Sequence, residues 1–327
     1  MVQEVLHDAV PGLRVYYPGV SPPTRRQCAG PGHRQGSPFF PGGRQDRSRD
    51  RASTSRTGMV AEQGLAVELE WGPAGAAALA DRASYAVVVD VLSFSTTVSV
   101  ALDEGIEVHP YRWGDDRAAR YAGEHRAALA VGRHQARRTG RVGAVTLSPV
   151  SVRAARGLER LVLPSPNGSA ICFALAEAGT PVLTACLRNR SAVVAWLVSR
   201  LVAPGPEERR GHVAVVAAGE HRTDGSLRPA VEDLLGAGAV LAGLRDGGCG
   251  VLSPEAEAAA AAYDAMADRL PEVLHGCASG RELAGAGFGG DVDVAAELDS
   301  SASVPLLTDG RFRDAGPRSA AAGPAPG

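Results

Sequence analysis

Lysine is absent from this 327-residue sequence, so all 34 basic residues are arginine. The absence excludes a Walker A lysine, a Schiff-base lysine and a lysine general base. A fixed positive charge in any active site must therefore come from arginine or from a bound metal ion. The formal net charge is only −2, and this near balance predicts that nucleic acid is not a partner.

Long hydrophobic runs are also absent. No apolar stretch approaches the ~20 residues of a membrane-spanning helix, and the N-terminal region lacks the apolar core of a signal peptide. We therefore expect a cytoplasmic protein that does not interact with membranes. Cysteines are few, odd in number and never spaced as CxxC, so neither a zinc site nor a disulfide framework is indicated.

The composition divides the chain into three parts. Residues 1–58 are rich in Arg, Pro, Gly and Ser without periodicity, and we expect a disordered tail there. Met59 is an alternative start of the chain. Residues 59–314 are predicted to form one domain, and residues 315–327 a second disordered tail. The sequence leaves open whether the chain forms a homo-oligomer.

Apolar β-branched runs alternate with helical segments from residue 65 onwards. This alternation predicts an α/β protein, with a three-layer α/β/α architecture around a largely parallel central sheet. Residues 86–89 (AVVV) are continuously apolar, as in a strand buried on both faces. Gly236 and Gly238 fall inside a predicted helix, where glycine is unfavourable, so we expect close packing at both positions.

The strand at 86–89 is followed by Asp90 and then by a group of hydroxyls at Ser95, Thr96 and Thr97. Ligands of open α/β sheets bind at the carboxyl ends of strands, and a helix N-terminus there attracts anions. A carboxylate at this position can hold Mg²⁺, which in turn holds phosphate oxygens. Ser, Thr and Asp are equally common in helix caps and turns, so the stretch alone does not decide between the two interpretations.

Other predicted strands end in similar chemistry. The polar residues concerned are Asn167, Gly168, Ser169, Asn189, Glu220, Glu232 and Asp233. If these strand ends converge, they supply carboxylates for a metal and donors for phosphate oxygens, as metal-assisted phosphoryl chemistry requires. Taken singly, Asn167-Gly168 is typical of a turn, Ser169 of a helix cap, and the acidic pair of a helix N-terminus.

Six motifs, in this order, resemble the 2-phosphosulfolactate phosphatase (ComB-like) family. They are VVVDVLSFSTT (87–97), LPSPNGSAI (163–171), CLRNRSAVV (186–194), AAGE (217–220), VEDLLGAGAV (231–240) and the segment 279–307. The resemblance implies an α/β/α fold and a Mg²⁺-dependent acid phosphatase acting on phosphate esters of small 2-hydroxy acids. The family's named substrate belongs to coenzyme M biosynthesis.

The leading hypothesis assigns roles to these residues. Asp90, Glu232 and Asp233 are predicted to be the catalytic residues and the Mg²⁺ ligands. The predicted phosphate- and substrate-binding residues are Ser95, Thr96, Thr97, Arg133, Asn167, Gly168, Ser169 and Asn189. The expected partner is a small-molecule phosphate ester.

The chain departs from the family pattern at two positions. Ser93 occupies a position where the family usually has Arg, and Gly132-Arg133 stands where the family has Gly-Glu. We hypothesise that Arg133 supplies the anion-binding guanidinium from another side of the pocket, since a guanidinium can grip a carboxylate or sulfonate with two N–H groups.

Two alternatives remain open from the sequence. In the first, Asp90 is a covalent nucleophile, as in haloacid-dehalogenase-type phosphatases. Those enzymes need a second Asp two residues further on, where this chain has Leu92. In the second, the chain is a non-catalytic protein of the same fold that binds a phosphorylated metabolite.

Overall fold

The computed structural model describes residues 65–112, 116–133, 135–136, 145–202 and 211–316. The predicted tail at 1–58 and most of the predicted tail at 315–327 lie outside the described residues. Ala315 belongs to the folded part, since its N–H donates to the carbonyl of Val304 at 2.9 Å. Within the described ranges, no helix is long and apolar enough to cross a membrane.

The strands form one large mixed sheet and one small hairpin. They are β1 (Ala66–Trp71), β2 (Tyr85–Val89), β3 (Glu107–Tyr111), β4 (Ala128–Leu129), β5 (Arg160–Pro164), β6 (Val182–Ala185), β7 (His212–Ala217), β8 (Glu220–His221), β9 (Leu227–Arg228), β10 (Val251–Leu252), β11 (Pro305–Thr308) and β12 (Arg311–Asp314). The order in the large sheet is β10-β1-β7-β2-β6-β11-β12-β3-β5-β4, and β8 pairs with β9. All pairs in the large sheet are parallel except those made by β11 and β12.

Helices cover both faces of the large sheet. They are α1 (Gly72–Ala80), α2 (Phe94–Asp103), α3 (Asp116–His125), α4 (Pro149–Ala154), α5 (Gly168–Glu177), α6 (Arg190–Leu201), α7 (Val231–Asp246), α8 (Pro254–Met266), α9 (Leu270–Gly276), α10 (Ala278–Gly285) and α11 (Gly289–Ala295). The predicted three-layer α/β/α arrangement with a mostly parallel sheet is therefore confirmed.

Strand β2 divides the core into two apolar clusters. Val87 and Val89 belong to the cluster formed with α6, α7 and α8. Ala86 and Val88 point the other way and belong to the cluster that contains α2 and α5. All four side chains are fully buried, which confirms a strand enclosed on both faces. The continuous apolar run follows from this double burial.

The residues that follow two distant strands of the large sheet lie close together. Strands β2 and β5 are separated in the sheet order by β6, β11, β12 and β3. At a spacing of ~4.8 Å per strand, a flat sheet would hold them roughly 24 Å apart. The residues after these strands nevertheless touch, because the Gly168 N–H donates to Asp90 Oδ2 at 3.0 Å. The sheet and the loop that follows β5 together bring these residues to one place.

Two glycines in α7 allow this helix to pack closely against β2 and α8. A Cβ at Gly236 would lie 2.9 Å from Val89 Cγ1, and one at Gly238 would overlap the carbonyl of Ala259 in α8. The predicted close packing at both positions is confirmed. One predicted cap was wrong: the N-cap of α5 is Asn167, and Ser169 lies inside the helix, where its hydroxyl donates to the Leu163 carbonyl at 3.0 Å.

Candidate active site

Asp90 lies directly after β2 and is 5% exposed. Its Oδ1 accepts the backbone N–H of Phe94 at 3.2 Å, and its Oδ2 accepts that of Gly168 at 3.0 Å. Both donors belong to the first residues of helices, α2 and α5 respectively. Burial raises the pKa of Asp90 to about 6, against the lowering effect of these two N–H groups, and the charge of Glu232 raises this pKa further.

Gly168 makes this arrangement sterically feasible. A Cβ at this position would overlap the ring of Phe94 and lie 2.9 Å from Asp90 Oδ2. The backbone of α5 therefore approaches the carboxylate at a distance that a side chain would prevent. The Phe94 ring is itself fixed, since it packs edge-on against Phe312 at 6.2 Å between ring centroids.

Asp233 connects the ends of two neighbouring strands. Its Oδ1 accepts the N–H of Val91, just after β2, at 2.7 Å, and its Oδ2 accepts the N–H of Gly219, just after β7, at 2.8 Å. Burial, followed by the charges of Asp90 and Glu232, raises the pKa of Asp233 well above its ordinary value. Asp233 thus holds the backbone around the predicted site in position.

Glu232 precedes Asp233 in the first turn of α7 and is 1% exposed. Its Oε2 atom is buried and has no hydrogen-bond partner within the described residues. A buried carboxylate oxygen without a partner carries a large desolvation cost. A cation that binds there would offset that cost more fully than the weakly polar thiol of Cys277, which interacts with the Glu232 side chain.

Glu220 adds a fourth carboxylate. It accepts from Asn167 Nδ2 at 2.9 Å, and Asn167 Oδ1 lies 2.8 Å from His221 Nδ1. In this arrangement His221 Nδ1 carries the proton that Asn167 accepts. Burial raises the pKa of Glu220 to about 7, and the charges of Asp90 and Glu232 contribute to the same shift. Asn167, a predicted phosphate-binding residue, therefore has its side-chain amide bound to the Glu220 carboxylate.

The predicted phosphate-binding hydroxyls are directed into the protein. Ser95 Oγ lies 2.6 Å from Thr184 Oγ1, Thr96 Oγ1 donates to the Val91 carbonyl at 2.7 Å, and Thr97 Oγ1 donates to the Ser93 carbonyl at 2.8 Å. All three residues are buried. Their contacts shape the turn after β2, and their direct role in phosphate binding stays a prediction.

Asn189 is the N-cap of α6 and is fully buried. Its Oδ1 accepts the N–H of Cys186 at 2.8 Å, and its Nδ2 donates to the Ser303 carbonyl at 3.2 Å. These bonds fix the turn after β6. Within the described part of the chain, Asn189 makes no hydrogen bond to Asp90 or Glu232, so its substrate-binding role also stays a prediction.

Arg133 contacts Ser93 directly. Its Nη2 donates to Ser93 Oγ at 2.6 Å, and its Nε donates to Asp291 Oδ2 at 2.7 Å. The two positions that depart from the family pattern are therefore in contact. The positive charge of Arg133 also lowers the pKa of Asp90, against the larger effect of burial.

The carboxylate group around Asp90 suits a divalent cation. Within the described ranges, no three His, Cys, Asp or Glu side chains are arranged as a closed set of metal ligands. Mg²⁺ does not require one, because it usually binds through one or two carboxylates together with water and substrate phosphates. Asp90 and Glu232 provide two buried carboxylates, and the unpartnered Glu232 oxygen fits the role of a ligand.

Sequence reasoning missed two parts of this site. Glu220 was noted at a strand end but was not predicted as a site residue, and its pKa shift depends on Asp90, which is distant in the sequence. Asp291 was not singled out, and its partner Arg133 lies 158 residues earlier. The AAGE motif was a usable signal for Glu220, whereas nothing local marked Asp291.

The fold and the site together define an α/β protein with a buried carboxylate centre at the carboxyl ends of parallel strands. A family model described as 2-phosphosulpholactate phosphatase matches residues 75–310, which is most of the chain. The chain therefore belongs to the 2-phosphosulpholactate phosphatase family, as the six motifs indicated. A search of curated proteins found no match.

Proposed function

We propose that this protein is a Mg²⁺-dependent phosphatase that hydrolyses the phosphate monoester of a small 2-hydroxy acid, with 2-phosphosulfolactate as the first candidate substrate. Membership of a phosphatase family supports the hydrolase activity. The observation that carries the metal dependence is the buried Glu232 Oε2 without a partner, beside the buried carboxylate of Asp90.

Asp90 and Glu232 are the residues that would hold the metal ion. A divalent cation there supplies positive charge to the phosphoryl oxygens and makes a nearby water more acidic. Asp233 positions the backbone rather than coordinating the metal in this proposal. Its two backbone hydrogen bonds, at 2.7 and 2.8 Å, join the ends of β2 and β7 and are shorter than those of Asp90, at 3.2 and 3.0 Å. Phosphate monoesters hydrolyse extremely slowly unaided, so such charge stabilisation is the main requirement of the reaction.

Glu220 is the residue best suited to move a proton. Its pKa of about 7 means that it exists in both protonation states near neutral pH. Asn167 donates to Glu220 Oε2 and fixes the orientation of the carboxyl group, while His221 holds Asn167 from the other side. Glu220 can therefore accept a proton from the attacking water or return one to the leaving alkoxide.

Phosphate release from 2-phosphosulfolactate and 2-phospholactate, measured with Mg²⁺ and again after treatment with EDTA, tests the proposal. We expect turnover of at least one ester with Mg²⁺ and recovery of activity when Mg²⁺ is returned to the EDTA-treated protein. Binding of an ester without any turnover would instead support the non-catalytic alternative. A phosphorylated Asp90 trapped during turnover would support the covalent alternative.

A further inference from the structure

The Arg133 guanidinium is held in one orientation by side chains from different parts of the chain. Its Nε donates to Asp291 at 2.7 Å and its Nη2 to Ser93 at 2.6 Å. Its side chain is 14% exposed, and the guanidinium lies over the Phe288 ring, 5.8 Å from the centroid. Nη1 makes no hydrogen bond to the described residues, so N–H groups remain for a ligand.

The Asp291 side chain is itself fixed by a neighbouring hydroxyl. It is 1% exposed, and its Oδ1 accepts the hydroxyl of Ser148, which is also the N-cap of α4. Ser93 donates to the Leu147 carbonyl at 3.1 Å. Both partners of the guanidinium are thus anchored by the segment just before α4. This rigidity means that little side-chain entropy remains to be lost when the guanidinium binds a ligand.

Arg133 also lies close to the carboxylate centre, since its positive charge acts on Asp90. Ser93, which it contacts, follows Asp90 by three residues in the turn between β2 and α2. The other charged side chains nearest to Asp90, those of Glu220, Glu232 and Asp233, are acidic. A substrate that carries a second acid group beyond its phosphate would be repelled there unless a cation received that group.

We propose that Arg133 and Ser93 form a subsite for the carboxylate or sulfonate of the phosphate ester, and that Asp291 positions Arg133 for this purpose. The proposal rests on the proposed function and adds its substrate class. A fixed guanidinium offers two parallel N–H groups to a planar or tetrahedral oxyanion, which matches such a group better than a single point charge would. Asp291 acts through Arg133 and does not touch the substrate.

The test compares two substrates with the full-length protein. We measure kcat/KM for 2-phospholactate and for p-nitrophenyl phosphate, which has no second acid group, in the wild type and in Arg133→Ala. We expect a loss of roughly ten- to a hundredfold with 2-phospholactate. The loss with p-nitrophenyl phosphate should be clearly smaller, because that substrate is affected only through the influence of Arg133 on Asp90. Equal losses with both substrates, or no loss with either, would overturn the proposal.

Arg190→Ala is the matched control variant. Arg190 also pairs with an aspartate, Asp299, at 2.9 Å, and lies over an aromatic ring, that of Tyr263, at 5.2 Å. Its removal should leave the ratio of the two kcat/KM values unchanged. For the positioning role, Asp291→Asn should raise KM for 2-phospholactate more than it lowers kcat, and Ser148→Ala should do the same more weakly. Unchanged KM values in both variants would contradict that role.

A binding measurement separates this subsite from the catalytic proposal. Calorimetric titration of wild type and Arg133→Ala with sulfoacetate and with inorganic phosphate needs no turnover. We expect Arg133→Ala to lose affinity for sulfoacetate roughly tenfold or more while phosphate affinity changes little. If the wild type binds sulfoacetate in this way but hydrolyses no ester, only the proposed function fails. If sulfoacetate binds equally to both proteins, the subsite fails.

Discussion

The carboxylate of Asp90 accepts the backbone N–H of Gly168, 78 residues later in the chain, at 3.0 Å. This bond joins the end of β2 to the start of α5, which follows a strand five places away in the sheet order. Since Asp90 also accepts the Phe94 N–H, the starts of two helices converge on one carboxylate. The partial positive charge of each helix N-terminus favours the ionised form of this buried group.

Gly168→Ala is predicted to damage both stability and activity. The added Cβ would overlap the Phe94 ring and press on Asp90 Oδ2, and overpacking of this kind costs ~1–3 kcal/mol. We expect a melting temperature lower by several degrees and a large loss of turnover. Gly123→Ala is the control, because Gly123 lies inside α3 with no neighbouring atom within 4 Å. Its melting temperature should stay the same or rise; equal effects of the two substitutions would contradict the close approach.

Asp90→Asn is predicted to fold but to lose most Mg²⁺-dependent turnover. The amide retains one oxygen to accept an N–H, so one of the two backbone bonds is lost, at a cost of ~1–3 kcal/mol, while a buried charge is also removed. Activity should fall because a hard cation requires the charge. Circular dichroism checks the fold, and phosphate release checks the activity. Wild-type turnover at limiting Mg²⁺ would remove Asp90 from the proposed centre.

Glu232→Gln and Asp233→Asn are predicted to affect different properties, namely Mg²⁺ activation in the first variant and thermal stability in the second. Glu232 Oε2 accepts no hydrogen bond from the described residues, so Glu232→Gln should leave the melting temperature unchanged or higher, yet weaken Mg²⁺ activation strongly. Asp233 holds the N–H groups of Val91 and Gly219, so Asp233→Asn should lower the melting temperature. Thermal unfolding and Mg²⁺ titration of both variants provide the comparison. Equal, mild effects on both would favour a simple helix-dipole role for the pair.

The buried carboxyl groups of Asp90 and Glu220 are predicted to lower the stability of the metal-free protein as pH rises, whereas the buried His109, whose pKa is lowered to about 4, acts in the opposite direction. Folding raises the pKa of Asp90 from 3.8 to about 6 and that of Glu220 from 4.5 to about 7. A raised carboxyl pKa favours the folded state while the group is protonated, so this stability is present below pH ~4 and is lost as pH rises through the folded-state values. For Asp90 alone the loss is on the order of 3 kcal/mol.

Melting temperatures of the EDTA-treated protein between pH 4 and 8 check this prediction, with Asp90→Asn as the comparison. The variant should show a shallower decline, because one of the titrating groups is gone. Addition of Mg²⁺ should raise the melting temperature most at the high end of this range, where the carboxylates are charged. A wild-type stability that falls no more steeply with pH than that of Asp90→Asn would contradict the direction assigned to Asp90.

The sequence was sufficient to predict the secondary-structure elements that are buried on both faces. Residues 86–89 predicted β2 because double burial requires a continuous apolar run, and Gly236 and Gly238 predicted close packing that a Cβ would prevent. Strand β12 was missed because, of its residues RFRD, only Phe312 is buried. Its pairing with β3 and β11 depends on tertiary contacts that no local pattern encodes.

The sequence predicted that the strand-end residues of the site would lie close together, but not the different contacts that each of them makes. Strand-end residues indicated where Asp90, Glu232 and Asp233 would meet. The sequence could not show that Asp233 bonds backbone N–H groups while an oxygen of Glu232 has no partner. Adjacent acidic residues in one helical turn look equivalent until the neighbouring strands are in place.

The most direct test of the central claim is the rate of phosphate release from 2-phosphosulfolactate over a Mg²⁺ titration, for the wild type and for Glu232→Gln. We predict saturable activation of the wild type by Mg²⁺. In the variant we predict a shift to much higher Mg²⁺ concentration or a loss of activity, with the fold intact. Hydrolysis by the EDTA-treated wild type, or the same Mg²⁺ dependence in both proteins, would contradict the account.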